Sequence, residues 1–250
     1  MTDAHCHVTG GDLGVREFLI GRDFVGVHPW DAEGLGGLES LEGLEVWLRT
    51  RLEGIPNLPN GAAPNFPNIL PGIGEIGLDR LRSRDISPRM REVFEAQLKL
   101  ALELRRPVVL HGAKCWGQVV ETIKNVECRI ENESEFHHSS FITHRSSFLF
   151  HGFSRSEGLI PDIVALNGYI SVGPAVLNDH AVNYRELVKK IPLDRLLVET
   201  DRTPENAATC PSVAAVAAKV AELRGVALPE FEKLTDANAA CFAGDASGMV

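Results

Sequence analysis

No stretch of 18 or more apolar residues occurs in this chain of 250 residues, and Met1 leads straight to Asp3, His5 and His7 rather than to a basic and then hydrophobic segment. Neither a membrane span nor a secretory leader is expected. Cysteine is sparse: Cys6, Cys115, Cys128, Cys210 and Cys241 are odd in number, widely spaced and without a C-x-x-C pair. That argues against a disulfide framework or a thiolate zinc site and for reduced thiols in a cytoplasmic or nuclear protein. Positive charge is short as well, 25 Lys and Arg against 34 Asp and Glu, for a formal net charge of -9. Binding along a nucleic-acid backbone regardless of sequence needs cations that displace condensed counterions, so it is not expected of the surface as a whole. A locally positive site remains open. The rest is an ordinary globular composition, 44% hydrophobic and 24% charged, with no repeat and no shift along the chain. One domain over residues 1–250 is expected.

Apolar runs bounded by turn residues predict strands over 2–8, 24–28, 69–76, 107–111, 148–152, 168–172 and 195–200. Most are continuous, as in parallel strands covered on both faces. Helical patterns lie between them: Pro88 to Arg106, capped by Ser87 and stopped by Pro107; Pro211 to Leu223, stopped by Gly225; and Pro229 to about Phe242. Such alternation means βαβ units, and the length suits one (β/α) barrel. Residues 54–68, rich in proline and asparagine, read as a long loop, and the polar, serine-rich 125–147 as an inserted loop or hairpin.

Five of the apolar runs end in metal-binding side chains: D-A-H-C-H, G-E-I-G-L-D, V-V-L-H-G, F-L-F-H-G-F and L-L-V-E-T-D. In the first, a strand's period of two puts Asp3, His5 and His7 on one face. Glu75 is a carboxylate where a buried strand should carry large apolar residues, a costly placement unless it is paired or metal-bound, and it is the natural bridging ligand. His111 and His151 each follow an apolar run and precede glycine, at the strand end where barrel enzymes collect functional groups. Asp201 could hold a metal and accept a proton from an attacking water, so Asp201 and Glu75 are the candidate catalytic residues. Glu199, on the same strand face as Asp201, reads equally as catalytic or as a hydrogen-bond acceptor behind the ligands. His28 ends V-G-V-H-P and is assigned a place beside the substrate.

Four imidazoles and two carboxylates suffice for two divalent ions sharing Glu75, one on His5, His7 and Asp201 and the other on His111 and His151. The ligand mix suits zinc, manganese or cobalt and admits magnesium. Gly72-x-Gly74-x-x-Gly77 matches a dinucleotide-binding pattern, but its central acid would repel a pyrophosphate and no helix follows directly, so no nucleotide cofactor is expected.

Taken in order, D-A-H-C-H, G-V-H-P, G-E-I-G-L-D, V-V-L-H, F-H-G-F-S and L-L-V-E-T-D resemble the TatD family of metal-dependent deoxyribonucleases over nearly the whole chain. The resemblance implies a TIM-type barrel, a divalent-metal centre and phosphodiester hydrolysis, commonly from DNA ends. By motif position it implies metal binding by His5, His7, Glu75, His111, His151 and Asp201. Only 20 residues separate His7 from His28, where the family carries a strand and a helix, so a seven-stranded barrel with one strand missing is expected. H-G-A-K replaces the family's H-S-R and moves the cation to Lys114; Arg155 stands where glycine is common, and Arg202 follows Asp201. Lys114, Arg155 and Arg202 are expected to face one cleft and grip the phosphate oxygens of DNA or another phosphodiester. Two other classes compete. One is a hydrolase of the same metal chemistry acting on an amide or an aminoacyl ester, as on tRNA. The other is a noncatalytic scaffold using 125–147 as its contact surface, against which the retention of all six ligands argues.

Overall fold

Parallel strands must be covered on both faces, and the apolar runs of this chain provide for it. The computed structural model describes residues 1–12, 14–54, 70–133 and 146–244. Among them are eight strands: β1 Thr2–Cys6, β2 Arg16–Leu19, β3 Phe24–Val25, β4 Gly72–Asp79, β5 Val108–Ala113, β6 Phe148–Phe150, β7 Gly168–Val172 and β8 Leu196–Val198. The α-helices are α1 Leu41–Gly54, α2 Pro88–Glu103, α3 Trp116–Glu133, α4 Ile160–Ala165, α5 Val182–Lys190, α6 Val213–Arg224 and α7 Leu228–Phe242. Strands β3 to β8 form one parallel sheet in sequence order, and β1 pairs in parallel with β2. The fold is the expected TIM-type barrel.

The short stretch between His7 and His28 departs from expectation in one respect. The described residues hold eight strands rather than seven, because Arg16–Leu19, too short and polar to read as a strand, lies between β1 and β3. Neither connection, from β1 to β2 or from β2 to β3, contains a helix among the described residues. After Leu19 the chain makes a single turn, in which the Asp23 amide donates to the Leu19 carbonyl (2.8 Å) and the Gly21 amide to the Phe24 carbonyl (2.7 Å). It then re-enters the wall at Phe24, touching the preceding strand through one Ile20–Phe24 bridge. On its other side β1 meets the end of β8 through separate bonds. The Asp201 amide donates to the His5 carbonyl (3.0 Å), and the Thr200 amide to Asp3 Oδ1 (2.9 Å).

Most of the predicted loop 54–68, and residues 134–145 of the predicted insertion, lie outside the described residues. Residues 125–133 are instead the last turns of α3, whose buried Val119, Ile123 and Val126 recur at helical spacing. Helix α2 begins as its sequence requires, with Pro88 in the first turn and the Ser87 hydroxyl accepting the Met90 amide (3.0 Å). Helix α6 stops on left-handed Gly225.

Two apolar layers result. Residues such as Ile76, Leu110, Phe150 and Val198 pack outward against Phe94, Leu98, Ile123 and Val220 of the helices. Val109, Leu149 and Leu197 belong to a second cluster with Phe18, Phe24 and Phe242, whose rings lie 5.8–6.1 Å apart. Each of those three aliphatic residues stands two positions before His111, His151 or Glu199. The period of two therefore points the polar side chains the same way, one layer higher.

Candidate metal centre

Glu75 sits mid-strand on β4 and is 4% exposed. The glycines around it let β4 and β5 approach closely: a Cβ on Gly77, whose φ is +147°, would sit 2.0 Å from the His111 carbonyl oxygen. Five imidazoles converge on this carboxylate. His111 Nδ1 lies 2.5 Å and His151 Nε2 2.6 Å from Oε1, with His28 Nε2 at 3.6 Å. His5 Nε2 and His7 Nε2 each lie 3.5 Å from Oε2. Asp201 faces the same two imidazoles, its Oδ1 being 3.5 Å from His5 and 3.7 Å from His7. The six residues expected as ligands thus come together from β1, β4, β5 and the ends of β6 and β8. Asp3, expected on the face of His5 and His7, turns instead to the Thr200 hydroxyl (2.6 Å) and pins β8 to β1.

A divalent ion fits this donor set. His5 is fully buried, and neither of its ring nitrogens has a hydrogen-bond partner, an expensive arrangement for polar atoms. Donors about 2.0–2.2 Å from a tetrahedral ion lie roughly 3.4 Å apart, close to the spacing of the nitrogens of His5 and His7 from the oxygens of Glu75 and Asp201. Burial, with the nearby charge of His151, lowers the His5 imidazole to about 4, leaving it neutral and free to ligate at neutral pH.

Hydrogen bonds separate the roles of the other imidazoles. His111 Nε2 meets Asp79 Oδ2 at 2.7 Å. Burial raises the Asp79 carboxyl, but His111 and the Leu81 amide outweigh it and hold the group at about 2. Ionised Asp79 accepts the Nε2 proton, which leaves Nδ1 facing Glu75 as the ligating atom. His28 is the reverse case. Its Nδ1 accepts the Trp30 amide (3.1 Å), so the proton sits on Nε2, toward Glu75. Although His28, Glu75 and His111 are close enough to share an ion, this tautomer makes His28 a donor at the edge of the site.

Behind the ligands, Glu199 Oε1 accepts the Gly152 amide (2.8 Å) and lies 3.9 Å from His151 Nδ1, while Oε2 accepts the Ser171 hydroxyl. Burial pushes the Glu199 carboxyl up to about 7. Burial also raises Glu75, yet the imidazoles of His151, His111 and His28 hold it well below the usual carboxylate range. The Glu75 carboxylate in turn overcomes burial and lifts His151 to about 10. Asp201 is likewise held low against its burial by His5 and His151. A metal ion entering this cage displaces protons from the imidazoles it takes.

Asp79, the last residue of G-E-I-G-L-D, receives no role of its own from the sequence, although it shares the strand face of Glu75 at four residues' distance. Asp79→Asn is expected to weaken metal binding about 10–100-fold, read by metal titration, with an unchanged circular-dichroism spectrum.

The cations expected to share one cleft are dispersed. Lys114 lines a cleft of about 450 Å³ with Arg80, Arg82 and Arg84. Arg155 lines a larger one of about 920 Å³ with Tyr184, His180, Glu199 and Asp201. Arg202 folds over Gly10, where a Cβ would sit 2.0 Å from its Nη1. The separation follows from the backbone, since Lys114 (φ +59°), Arg155 (φ +58°) and Asp201 (φ +49°) each turn through the left-handed region. Cys115 and Trp116, just past β5, are buried in the helix-facing core. No helix among the described residues is long and apolar enough to cross a membrane.

The TatD-related DNase family matches residues 21–243 of the chain. YabD of Bacillus subtilis, an uncharacterized metal-dependent hydrolase, is 32% identical over 174 residues, which cover 67% of this chain and 62% of that protein. The human 3'-5' RNA nuclease TATDN2 is 33% identical over 131 residues, 51% of this chain but 15% of that much longer protein. The crystal structure of YjjV, a TatD homologue from Escherichia coli, superimposes with a TM-score of 0.62 at 23% identity, covering 93% of this chain and 78% of that one. That likeness carries the fold.

Proposed function

The chain belongs to the TatD-related DNase family of metal-dependent hydrolases, and from that premise we propose that it is a phosphodiesterase that cleaves at nucleic-acid ends, with two divalent ions sharing Glu75. The reading rests above all on one observation: both oxygens of a single buried carboxylate face imidazoles, His5 and His7 on one side, His111 and His151 on the other. When bound there, the ions would polarise the phosphoryl oxygens and lower the pKa of an attacking water.

The chain's own residues supply the rest. Asp201, held ionised and half exposed at the mouth, accepts the proton that the water loses as it adds to phosphorus, while the P–O bond to the departing alcohol breaks and that oxygen is protonated from solvent. Glu75 keeps both sets of imidazoles in place and supplies negative charge where the ions need it. His28 donates its Nε2 proton in a hydrogen bond toward a substrate oxygen beside Glu75. Glu199 holds Gly152, and so the turn that carries His151. Of the three cations singled out in the sequence, Arg155 stands nearest in role, in the cleft that also holds Asp201. The nuclease named among the relatives supports the substrate class.

The test is hydrolysis by metal-reconstituted protein of bis-p-nitrophenyl phosphate and of single-stranded and duplex oligonucleotides, beside amide and aminoacyl-ester substrates. Turnover of the phosphodiesters without the others is the expected result. Turnover confined to the amides or esters would overturn the reading.

A further inference from the structure

We infer that Trp30 and Arg82, with Arg80, Arg84 and Lys114 beside them, form a subsite that stacks the unpaired nucleotide next to the phosphodiester held at the metal centre. This rests on the phosphodiester reading above and adds to it the residues that recognise the polymer.

The first support is charge. The surface carries an acidic excess, and its cations are commonly neutralised: Arg22 by Asp23, Arg49 by Glu45, Lys124 by Asp162, Arg129 by Glu95, Arg185 by Asp179 and Lys190 by Glu157. Arg80, Arg82, Arg84 and Lys114 line one cleft, and among the described residues none of the four is in an ion pair. Four cations without an ion-pair partner among the described residues, gathered in one cleft of a protein with net charge -9, form the locally positive site that an anionic chain requires.

The second support is the connection to the metal centre. Asp79, which fixes His111, also accepts the Leu81 amide (2.6 Å) and the Arg82 amide (3.3 Å) through Oδ1. The carboxylate that orients a ligand therefore also shapes the turn that presents the arginines. Arg80 Nε closes that turn on the Arg84 carbonyl (2.8 Å).

The third is the ring system. Trp30 is 43% exposed, and the Arg82 guanidinium carbon lies 3.5 Å from its ring centre. The Trp30 ring stands edge-on to His28 at 4.8 Å and lies 6.3 Å from His111. A guanidinium stacked on tryptophan offers a flat cationic face and keeps its in-plane N–H groups for phosphate oxygens. A nucleobase stacks on such a platform only when its face is free, as in a single strand; within a duplex the faces are covered. An acidic peptide would use the cations and leave Trp30 without a role.

The test is binding of labelled single-stranded DNA and RNA to the full chain in EDTA, read by fluorescence anisotropy so that no cleavage enters, followed by cleavage kinetics with metal. Trp30→Ala is expected to weaken single-strand binding about tenfold, and Trp30→Phe to restore most of it. An oligonucleotide with abasic terminal nucleotides should bind the wild type as weakly as the ordinary one binds Trp30→Ala. Changing all four cations to glutamine should flatten the slope of log affinity against log salt by about 3, for four phosphate contacts at roughly 0.7 each. With metal, Trp30→Ala should lose more activity on oligonucleotides than on bis-p-nitrophenyl phosphate, whose turnover also reports that the variant folds. Equal binding by wild type and Trp30→Ala, or undiminished binding of the abasic strand, would overturn the subsite. If the wild type hydrolyses the small diester but neither binds nor cuts oligonucleotides, the nucleic-acid reading falls first. If it cuts them and Trp30→Ala is indifferent, only the subsite falls.

Discussion

Glu75→Gln is expected to lower phosphodiester turnover by at least about a thousandfold, or about 4 kcal/mol of transition-state stabilisation, while the fold survives. The substitution preserves volume at a position 4% exposed and walled by glycine-permitted strand contacts. What it removes is the charge that five imidazoles face at 2.5–3.6 Å. Without that charge, His151 loses the main partner that lifts it to about 10 against its burial, and only Glu199 and Asp201 still favour its charged form. The fold does not depend on the pair, because the layer below, around Val109, Leu149 and Leu197, is apolar and separately packed. Steady-state kinetics over a manganese titration, beside circular dichroism, tests this. Wild-type rates for the variant at limiting metal would contradict it.

Chelation is expected to lower the melting temperature by about 8–16 °C relative to protein at a metal concentration near a thousand times its Kd. Binding to the native state alone contributes about 4 kcal/mol at that ratio. Each kcal/mol moves the midpoint by roughly 2–4 °C in a domain of this size. The structural ground is the cage itself. Metal-free, it buries His5 with both ring nitrogens unpartnered and crowds carboxylates and imidazoles together. Differential scanning calorimetry with EDTA and with added manganese gives the number. A shift within about 2 °C would mean that the cage takes no metal of consequence to the native state.

The parts of this centre that could be read from the sequence are those where an apolar run stops abruptly on a polar side chain. His111, His151 and Asp201 all have that form, because a barrel strand is apolar on its way through the core and turns functional only at its end. Glu75 was legible for the opposite reason, as a charge amid small residues inside a buried run. Asp79 was not, since an acid at a strand end also reads as a turn residue, and only the structure aims it at His111 Nε2. The tautomer of His28 depends on the backbone amide of Trp30, a contact set by the helical turn after Pro29 that side-chain identities do not announce.

Loop geometry is not written in residue identity. Lys114, Arg155 and Arg202 share a position just past strand ends, yet left-handed turns at Lys114, Arg155 and Asp201 send them into different surroundings. Conversely, R-L-R-S-R carries no functional signal as a run of charge, because its meaning comes from Trp30, some fifty residues away in the chain, and from Lys114 across the cleft. Strand β2 escaped for a related reason: four residues of mixed polarity carry almost no periodicity, and their place in the wall depends on pairing with β1.

Anomalous diffraction from crystals soaked in manganese tests the central claim most directly, because it locates ions without reference to any assay. Two peaks roughly 3.5–4 Å apart, one beside each oxygen of Glu75, are the predicted result. The first should be bounded by His5, His7 and Asp201 and the second by His111 and His151. A single peak under saturating manganese, or a pair that does not share Glu75, would contradict the account.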